Sequence, residues 1–346
     1  MISNMNILIV KLSAIGDVIH TLPALAALRK LYPDANITWV IEEASSDLIK
    51  NHPHLDRVVI SRRKRWIDDL KHGRMGKPFN QMKSFVNELK EQSYDLVIDF
   101  HGLLKSAVVV FLSSGKRKLG YDSMQEMSGL FLNEKIPEDM NKHAVDRYLD
   151  FLRYLGADIK EPEFLIPIWE ENISRIDGLL QANNIDKKDR FVAVSPIALW
   201  ATKLWEDEKF ARLCDRIIEE LKVRVVFTGS DRRKLERIQS RMKFPAVNLG
   251  DKTTLRDLAY LYRLSSLLIT TDSGPMHIAA AVGTPVVALF GPTDPSRTGP
   301  YGMGHTVVRK ELACSPCFLT KCDSTKCMLD ITVEEVYHIV KEKLSG

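Results

Sequence analysis

The residues best placed to do chemistry lie between Leu267 and Pro295, LLITTDSGPMHIAAAVGTPVVALFGPTDP. An apolar run, Leu267 to Thr271, reaches a turn at Asp272-Ser273-Gly274, and Pro275 opens a helix. A second run, Val286 to Phe290, ends in Gly291-Pro292-Thr293. Proline suits a first helical turn because its missing N–H is not needed there. The unpaired N–H groups and the positive end of the dipole then hold an anion, a phosphate above all. His277 falls inside that helix beside Ile278 and three alanines, where packing is a commoner fate for histidine than catalysis.

Other candidates are spread along the chain. Asp17 follows the first strand and enters a helix, where it reads either as a dipole-compensating cap or as a base for a hydroxyl proton. Arg62, Arg63, Lys64 and Arg65 precede Trp66. They read as a solvated basic loop, or as a site for an acidic substrate or an anionic membrane. Lys203 leaves a strand's C-terminal end and can meet a phosphate as a point charge. His143 and Arg147 share a helix face at i, i+4 and stay ambiguous. Cys314, Cys317, Cys322 and Cys327 give Cys-x2-Cys-x4-Cys-x4-Cys, a pattern open to structural zinc or to reduced thiols. No GxGxxG follows the first strand, and neither GxxxxGK[ST] nor Asp-x-Asp occurs, which argues against dinucleotide oxidoreductases, P-loop enzymes and a metal-bound nucleotide sugar.

Strands and helices alternate around these residues. Asn6 to Lys11, Ile37 to Ile41, Val58 to Ser61 and Tyr94 to Phe100 read as strands. Val18 to Leu31, Lys83 to Gln92 and Leu103 to Leu112 read as helices. The pattern weakens between Pro137 and Trp169 and resumes with strands at Phe191 to Ser195 and Val223 to Thr228, and helices at Glu208 to Leu221 and Thr254 to Leu264. Strand and helix in alternation imply parallel sheets with crossover helices. The expected architecture is two Rossmann-like, doubly wound α/β domains facing a central cleft, over residues 1–170 and 171–332. A last helix, 333–344, is expected to cross back onto the first domain.

The 346 residues are 45% apolar, enough for a substantial core, and 49 Lys and Arg against 45 Asp and Glu leave a net charge of +4. That balance is too mild to point to nucleic acid. No 18-residue apolar segment occurs, and the start lacks the h-region and cleavage site of a signal peptide. A cytoplasmic protein with reduced cysteines is expected.

KLSAIGDVIHTLPAL (Lys11 to Leu25), TDSGPMHIAAAVGTPVVALFGPTDP (Thr271 to Pro295) and Gly229-Ser230 resemble glycosyltransferase family 9, the ADP-heptose:lipopolysaccharide heptosyltransferases. WVIEE (Trp39 to Glu43), RRKRW (Arg62 to Trp66), YDLVIDFHGLLKSA (Tyr94 to Ala107) and HAVDRY (His143 to Tyr148) look most like its heptosyltransferase I branch. The resemblance implies a GT-B fold and an inverting, metal-independent heptosyl transfer from ADP-heptose to a Kdo residue of Kdo2-lipid A. It implies that Asp17 is the base and that Lys203 neutralises the departing diphosphate. Asp272 would contact the heptose, Ser273, Gly274 and Pro275 the phosphates, His277 would lie close by, and Asp231 would meet the adenosine ribose. Arg62, Arg63, Arg65, His143 and Arg147 fall on the acceptor side. The implied location is peripheral, on the cytoplasmic face of an anionic inner membrane, with no catalytic metal. His101 departs from the family's usual Gln. Rival readings are a second-heptose enzyme, a family member with another sugar, a GT-B nucleotide-sugar epimerase or hydrolase, and a non-enzymatic nucleotide-binding module.

Overall fold

The computed structural model describes residues 5–345 except Met75, Met124 and Lys187. The chain divides into two compact units that part between Pro167 and Ile168.

The first unit has strands β1 (Asn6–Val10), β2 (Asn36–Glu42), β3 (Arg57–Ser61), β4 (Tyr94–Asp99), β5 (Gly115–Tyr121) and β6 (Glu134–Ile136). Its helices are α1 (Ile15–Leu31), α2 (Arg63–Lys71), α3 (Gly76–Leu89), α4 (Leu104–Leu112) and α5 (Ala144–Tyr154). All pairings are parallel, in the order β3-β2-β1-β4-β5-β6. NILIV and YDLVID are buried almost throughout, as central strands covered on both faces must be. α1 is buried from Val18 to Leu28, so its sequence is apolar around its circumference rather than amphipathic.

The second unit repeats the plan. Its strands are β7 (Phe191–Ser195), β8 (Arg224–Phe227), β9 (Val247–Asn248), β10 (Leu267–Thr271), β11 (Val286–Phe290) and β12 (Thr306–Arg309). Its helices are α6 (Glu170–Gln181), α7 (Asp207–Leu221), α8 (Arg232–Gln239), α9 (Leu255–Leu264), α10 (Gly274–Ala281), α11 (Pro295–Thr298), α12 (Lys326–Leu329) and α13 (Val333–Ser345). The order β12-β11-β10-β7-β8-β9 is the first sheet's order read from its other edge, again all parallel. The last helix was expected on the first domain. In the structure α13 instead contributes Val336, Tyr337 and Val340 to the second unit's core. Tyr337 Oη donates to Glu220 of α7 at 2.7 Å, and Arg216 of α7 pairs with Glu334 at 2.8 Å.

Each sheet reverses its winding once, between β1 and β4 and between β7 and β10. Open α/β sheets bind ligands beyond the strand ends at such a reversal. In both units the candidate residues follow these strands: Asp17 after β1, Lys203 after β7 and Asp272 after β10.

Candidate active site

In the first unit, Asp17 sits in the first turn of α1. Its Oδ2 accepts the Ala14 N–H at 3.0 Å, so the capping role is real. Oδ1 has a different neighbourhood. Tyr148 Oη of α5 lies 3.4 Å from it, and Lys11 Nζ lies 4.0 Å away. Lys11 is buried and also donates to Phe100 O at 3.0 Å and Tyr148 Oη at 2.5 Å. Burial pushes the Lys11 pKa down, against the pull of Asp17 and Asp99. The carboxylate of Asp17 is thus capped on one oxygen and faces a cationic, hydroxylated wall on the other.

The loop after β4 completes this surface. Asp99 accepts the N–H groups of His101 at 2.9 Å and Gly102 at 3.2 Å, and Ser106 Oγ at 2.9 Å, which fixes the turn into α4. His101 presents two buried ring nitrogens with no hydrogen-bond partner among the described residues. Burial, then the charges of Lys11 and Lys105, depress its pKa to about 3, so the ring is neutral at physiological pH. Lys105 of α4 donates to Ser13 Oγ at 2.7 Å.

Of the two readings of the basic run, the solvated loop is not what forms. Arg62 flanks α2, and Arg63, Lys64 and Arg65 form its first turn. Cations at a helix N-terminus oppose the dipole, so this arrangement costs stability. Acids at the end of β2 offset part of that cost. Glu42 is buried and meets Arg63 at 3.1 Å, Lys64 at 3.7 Å and Lys105 at 4.0 Å, while Glu43 takes Arg62 at 2.9 Å. Arg65 is exposed and forms no ion pair among the described residues. Five cations, Arg62, Arg63, Lys64, Arg65 and Lys105, face two acids, Glu42 and Glu43, here.

In the second unit, Lys203 is the last residue of a 3₁₀ turn after β7, and its Nζ meets Asp272 Oδ2 at 2.6 Å. Thr293, in the turn after β11, donates to the same oxygen at 2.6 Å. Asp272 is buried, so this pairing satisfies a carboxylate that burial would otherwise penalise. Lys203 also lies 4.4 Å above the Trp200 ring. Ser273 is the extended residue before α10, Gly274 its first residue, and Pro275 the second rather than the first. The expected chemistry survives that shift, because the first four N–H groups of a helix lack intrahelical acceptors. His277 is buried in α10 behind this turn. Lysine, helix N-terminus and hydroxyl thus converge where two strands end.

Three expected residues have structural partners. His143 caps α5, its Nδ1 accepting the Val145 N–H at 3.2 Å. Arg147 is buried and paired with Glu138 at 2.6 Å. Asp231 caps α8, with Oδ1 accepting the Lys234 N–H at 2.9 Å. Cys314, Cys317 and Cys322 are exposed free thiols, and Cys327 is buried. Among the described residues no three His, Cys, Asp or Glu side chains gather as a metal-holding group. The cysteine loop leans on the turns after β7 and β11. The N–H groups of Cys317 and Phe318 donate to Pro292 O at 3.0 and 2.8 Å, and Thr202 Oγ1 donates to Leu319 O at 2.8 Å. Sequence reasoning had missed Lys11, Glu42, Lys105, Tyr148 and Thr293, whose partners lie between 21 and 137 residues away.

Two sheets of one doubly wound order, with an acid at one reversal and a lysine beside a helix N-terminus at the other, match the architecture of GT-B glycosyltransferases. The chain belongs to glycosyltransferase family 9 (heptosyltransferase), whose family model matches residues 82–328. It is 29% identical to lipopolysaccharide heptosyltransferase 1 of Pseudomonas aeruginosa, over 92% of this chain and 87% of that one. Among solved structures it is similar to a glycosyl transferase family 9 protein from Veillonella parvula, with 26% identity and a TM-score of 0.82 over 99% of this chain and 97% of that one. It is also similar to E. coli heptosyltransferase WaaC with ADP-2-deoxy-2-fluoro heptose, with 26% identity and a TM-score of 0.78 over 98% and 99% of the two chains.

Proposed function

We propose that this enzyme transfers L-glycero-D-manno-heptose from ADP-heptose to a Kdo residue of Kdo2-lipid A, with inversion and without a catalytic metal. The observation that carries the reading is the division of chemistry between the two sheet reversals: a carboxylate at the first, a Lys–Asp pair against a helix N-terminus at the second. The similarity to an enzyme solved with an ADP-heptose analogue supports the choice of donor.

In this mechanism the N–H groups at Ser273 and Gly274 and the Lys203 ammonium take the diphosphate, and Asp272 meets the heptose. Asp231 is the candidate contact for the adenosine ribose. Asp17 removes the proton from the acceptor hydroxyl. The hydroxyl oxygen bonds to the anomeric carbon on the face opposite ADP, which inverts that centre. The bond to the β-phosphate oxygen breaks, and ADP leaves with the electron pair. Lys203 and the helix dipole stabilise the charge that develops on it. Arg62, Arg63, Arg65 and Lys105 suit the carboxylates and phosphates of an acidic acceptor, because guanidinium groups pair such anions bidentately. His143 and Arg147 support that surface from α5 rather than contact the acceptor.

A lipid-linked acceptor also accounts for an apolar face beside the first site. Leu104, Val108 and Phe111 project from one side of α4, and Met127, Leu130 and Phe131 join them, all exposed. The Phe111 and Phe131 rings lie 4.8 Å apart. No helix among the described residues is long and apolar enough to cross a membrane. This face would rest on the anionic lipid surface. Phe111→Ser with Leu130→Ser should weaken co-sedimentation with anionic vesicles and spare activity on a delipidated acceptor.

The decisive experiment incubates the purified enzyme with ADP-heptose and Kdo2-lipid A in chelator, followed by mass and linkage analysis. Transfer only to an already heptosylated acceptor, or ADP release at full rate without acceptor, would overturn the proposal.

A further inference from the structure

We infer that Lys11 and Tyr148 are positioning residues for Asp17: a buried ammonium–phenol pair that aims its Oδ1 and keeps the carboxylate ionised. This rests on the reading of Asp17 as the base.

The geometry is specific. Lys11 directly follows β1 and is 3% exposed, and Tyr148 lies on α5 and is 5% exposed. The lysine's acceptors are Phe100 O and Tyr148 Oη, with the Asp17 carboxylate 4.0 Å away. Because Tyr148 Oη accepts from Lys11, its own proton is directed towards Asp17 Oδ1 at 3.4 Å. The phenol ring is held edge-on to Phe100, with centroids 5.8 Å apart, and Lys11 Nζ lies 4.4 Å from its centre. Its rotamer is therefore set by packing. The Ala14 N–H fixes Oδ2 at the same time, so both carboxylate oxygens are oriented from different elements.

A buried lysine is expensive, and a fold gains nothing from one where an apolar side chain would pack as well. Here burial is the largest influence and lowers its pKa, while the Asp17 and Asp99 carboxylates it faces pull the other way. An adjacent cation and a hydrogen-bond donor favour the ionised form of Asp17. An ionised Asp17 can then take the proton of the acceptor hydroxyl and release it to solvent after transfer. Charged groups around the pair are Asp99 in β4, Arg147 on α5 and Lys105 on α4, which act on Lys11, while His101 after β4 and Lys105 both feel the charge of Asp17.

The principal test is Tyr148→Phe, which removes one oxygen and keeps the ring. With ADP-heptose and Kdo2-lipid A, kcat should fall about tenfold or more with the donor KM unchanged, and the acid limb of the kcat profile should move to higher pH. An unchanged kcat and limb overturns the inference, and so does a loss of kcat with an unmoved limb, which would mark a merely structural role. Lys11→Met should move the limb further in the same direction, and Lys11→Arg should restore part of it. A second readout is free of the transfer assay: the Asp17 carboxyl resonance, assigned by its loss in Asp17→Asn, should titrate at higher pH in Tyr148→Phe than in the parent protein. An unshifted titration overturns the pairing even if the true acceptor is another sugar. A parent protein that transfers no heptose, with the titration shifted, overturns the proposed function alone.

Discussion

At the residue scale, the two sites show how much a side chain's meaning depends on partners the local sequence does not reveal. From its local sequence Asp17 reads first as a cap, and it is one: Oδ2 holds the Ala14 N–H. Only the distant Lys11 and Tyr148 show that its other oxygen faces a cationic wall. Lys11 itself was legible only as the end of an apolar strand, because nothing local says a lysine will be buried. Asp17→Asn keeps the size and much of the cap but removes the base. Its kcat should fall by about 10²- to 10⁴-fold, the usual worth of a general base, while calorimetry still records ADP-heptose binding. Loss of donor binding would instead mean that Asp17 serves the fold. Lys203 was legible as a possible phosphate partner, but its resting partner, Asp272, was not. Lys203→Ala should lower kcat by about 10²- to 10³-fold, as loss of a leaving-group stabiliser does, and an unchanged rate would refute the assignment.

At the element scale, the central buried strands and the longer helices announced themselves through apolar runs and helical spacing. α7 and α9 begin within a residue of their expected positions, since Thr254 caps α9 through the Asp257 N–H. Other elements hid for physical reasons. α2 starts with three cations where a helix prefers acids, so it read as a loop, and only the tertiary pairing with Glu42 and Glu43 makes it tolerable. GKRKLGY is rich in charge yet forms β5, because the exposure of Lys116 and Arg117 lets their charges pair with Asp95 and Glu134. β6, β9 and β12 hold only three, two and four residues, too short for a period to show. The turn after β8 carries its own prediction. Gly229 has φ +144°, and a Cβ there would collide with Ile197 Cδ1. The Ile197 carbonyl accepts Thr271 Oγ1 at 3.2 Å, next to Asp272. Gly229→Ala should therefore cost about 1–3 kcal/mol in urea unfolding and also raise the donor KM. A variant as stable as the parent would mean that the turn relaxes freely.

At the scale of the whole molecule, the chain's two halves show no residue-level repeat, yet they wind their sheets in one order. Topology repeats where sequence does not because the winding depends on burial pattern and handedness rather than on particular side chains. The end of the first unit is pinned by His52, whose Nε2 lies 3.0 Å from Leu165 O. Burial depresses the His52 pKa to about 4, so the folded state keeps the ring neutral while the unfolded chain binds a proton below about 6.5. Its contribution is complete above the unfolded value and is lost as pH falls towards 4, up to roughly 3 kcal/mol. His52→Gln should flatten the stability curve between those pH values, and a curve as steep as the parent's would assign the acid sensitivity elsewhere. The shared winding has a further consequence for anyone wishing to redesign the enzyme. In each half, the loops after the first and fourth strands carry candidate groups, joined by Arg62 after β3 in one half and by Asp231 after β8 and Thr293 after β11 in the other. Donor choice should therefore be rewritable by grafting the segments that follow β7, β8, β10 and β11, with the opposite half left untouched as a reusable chassis.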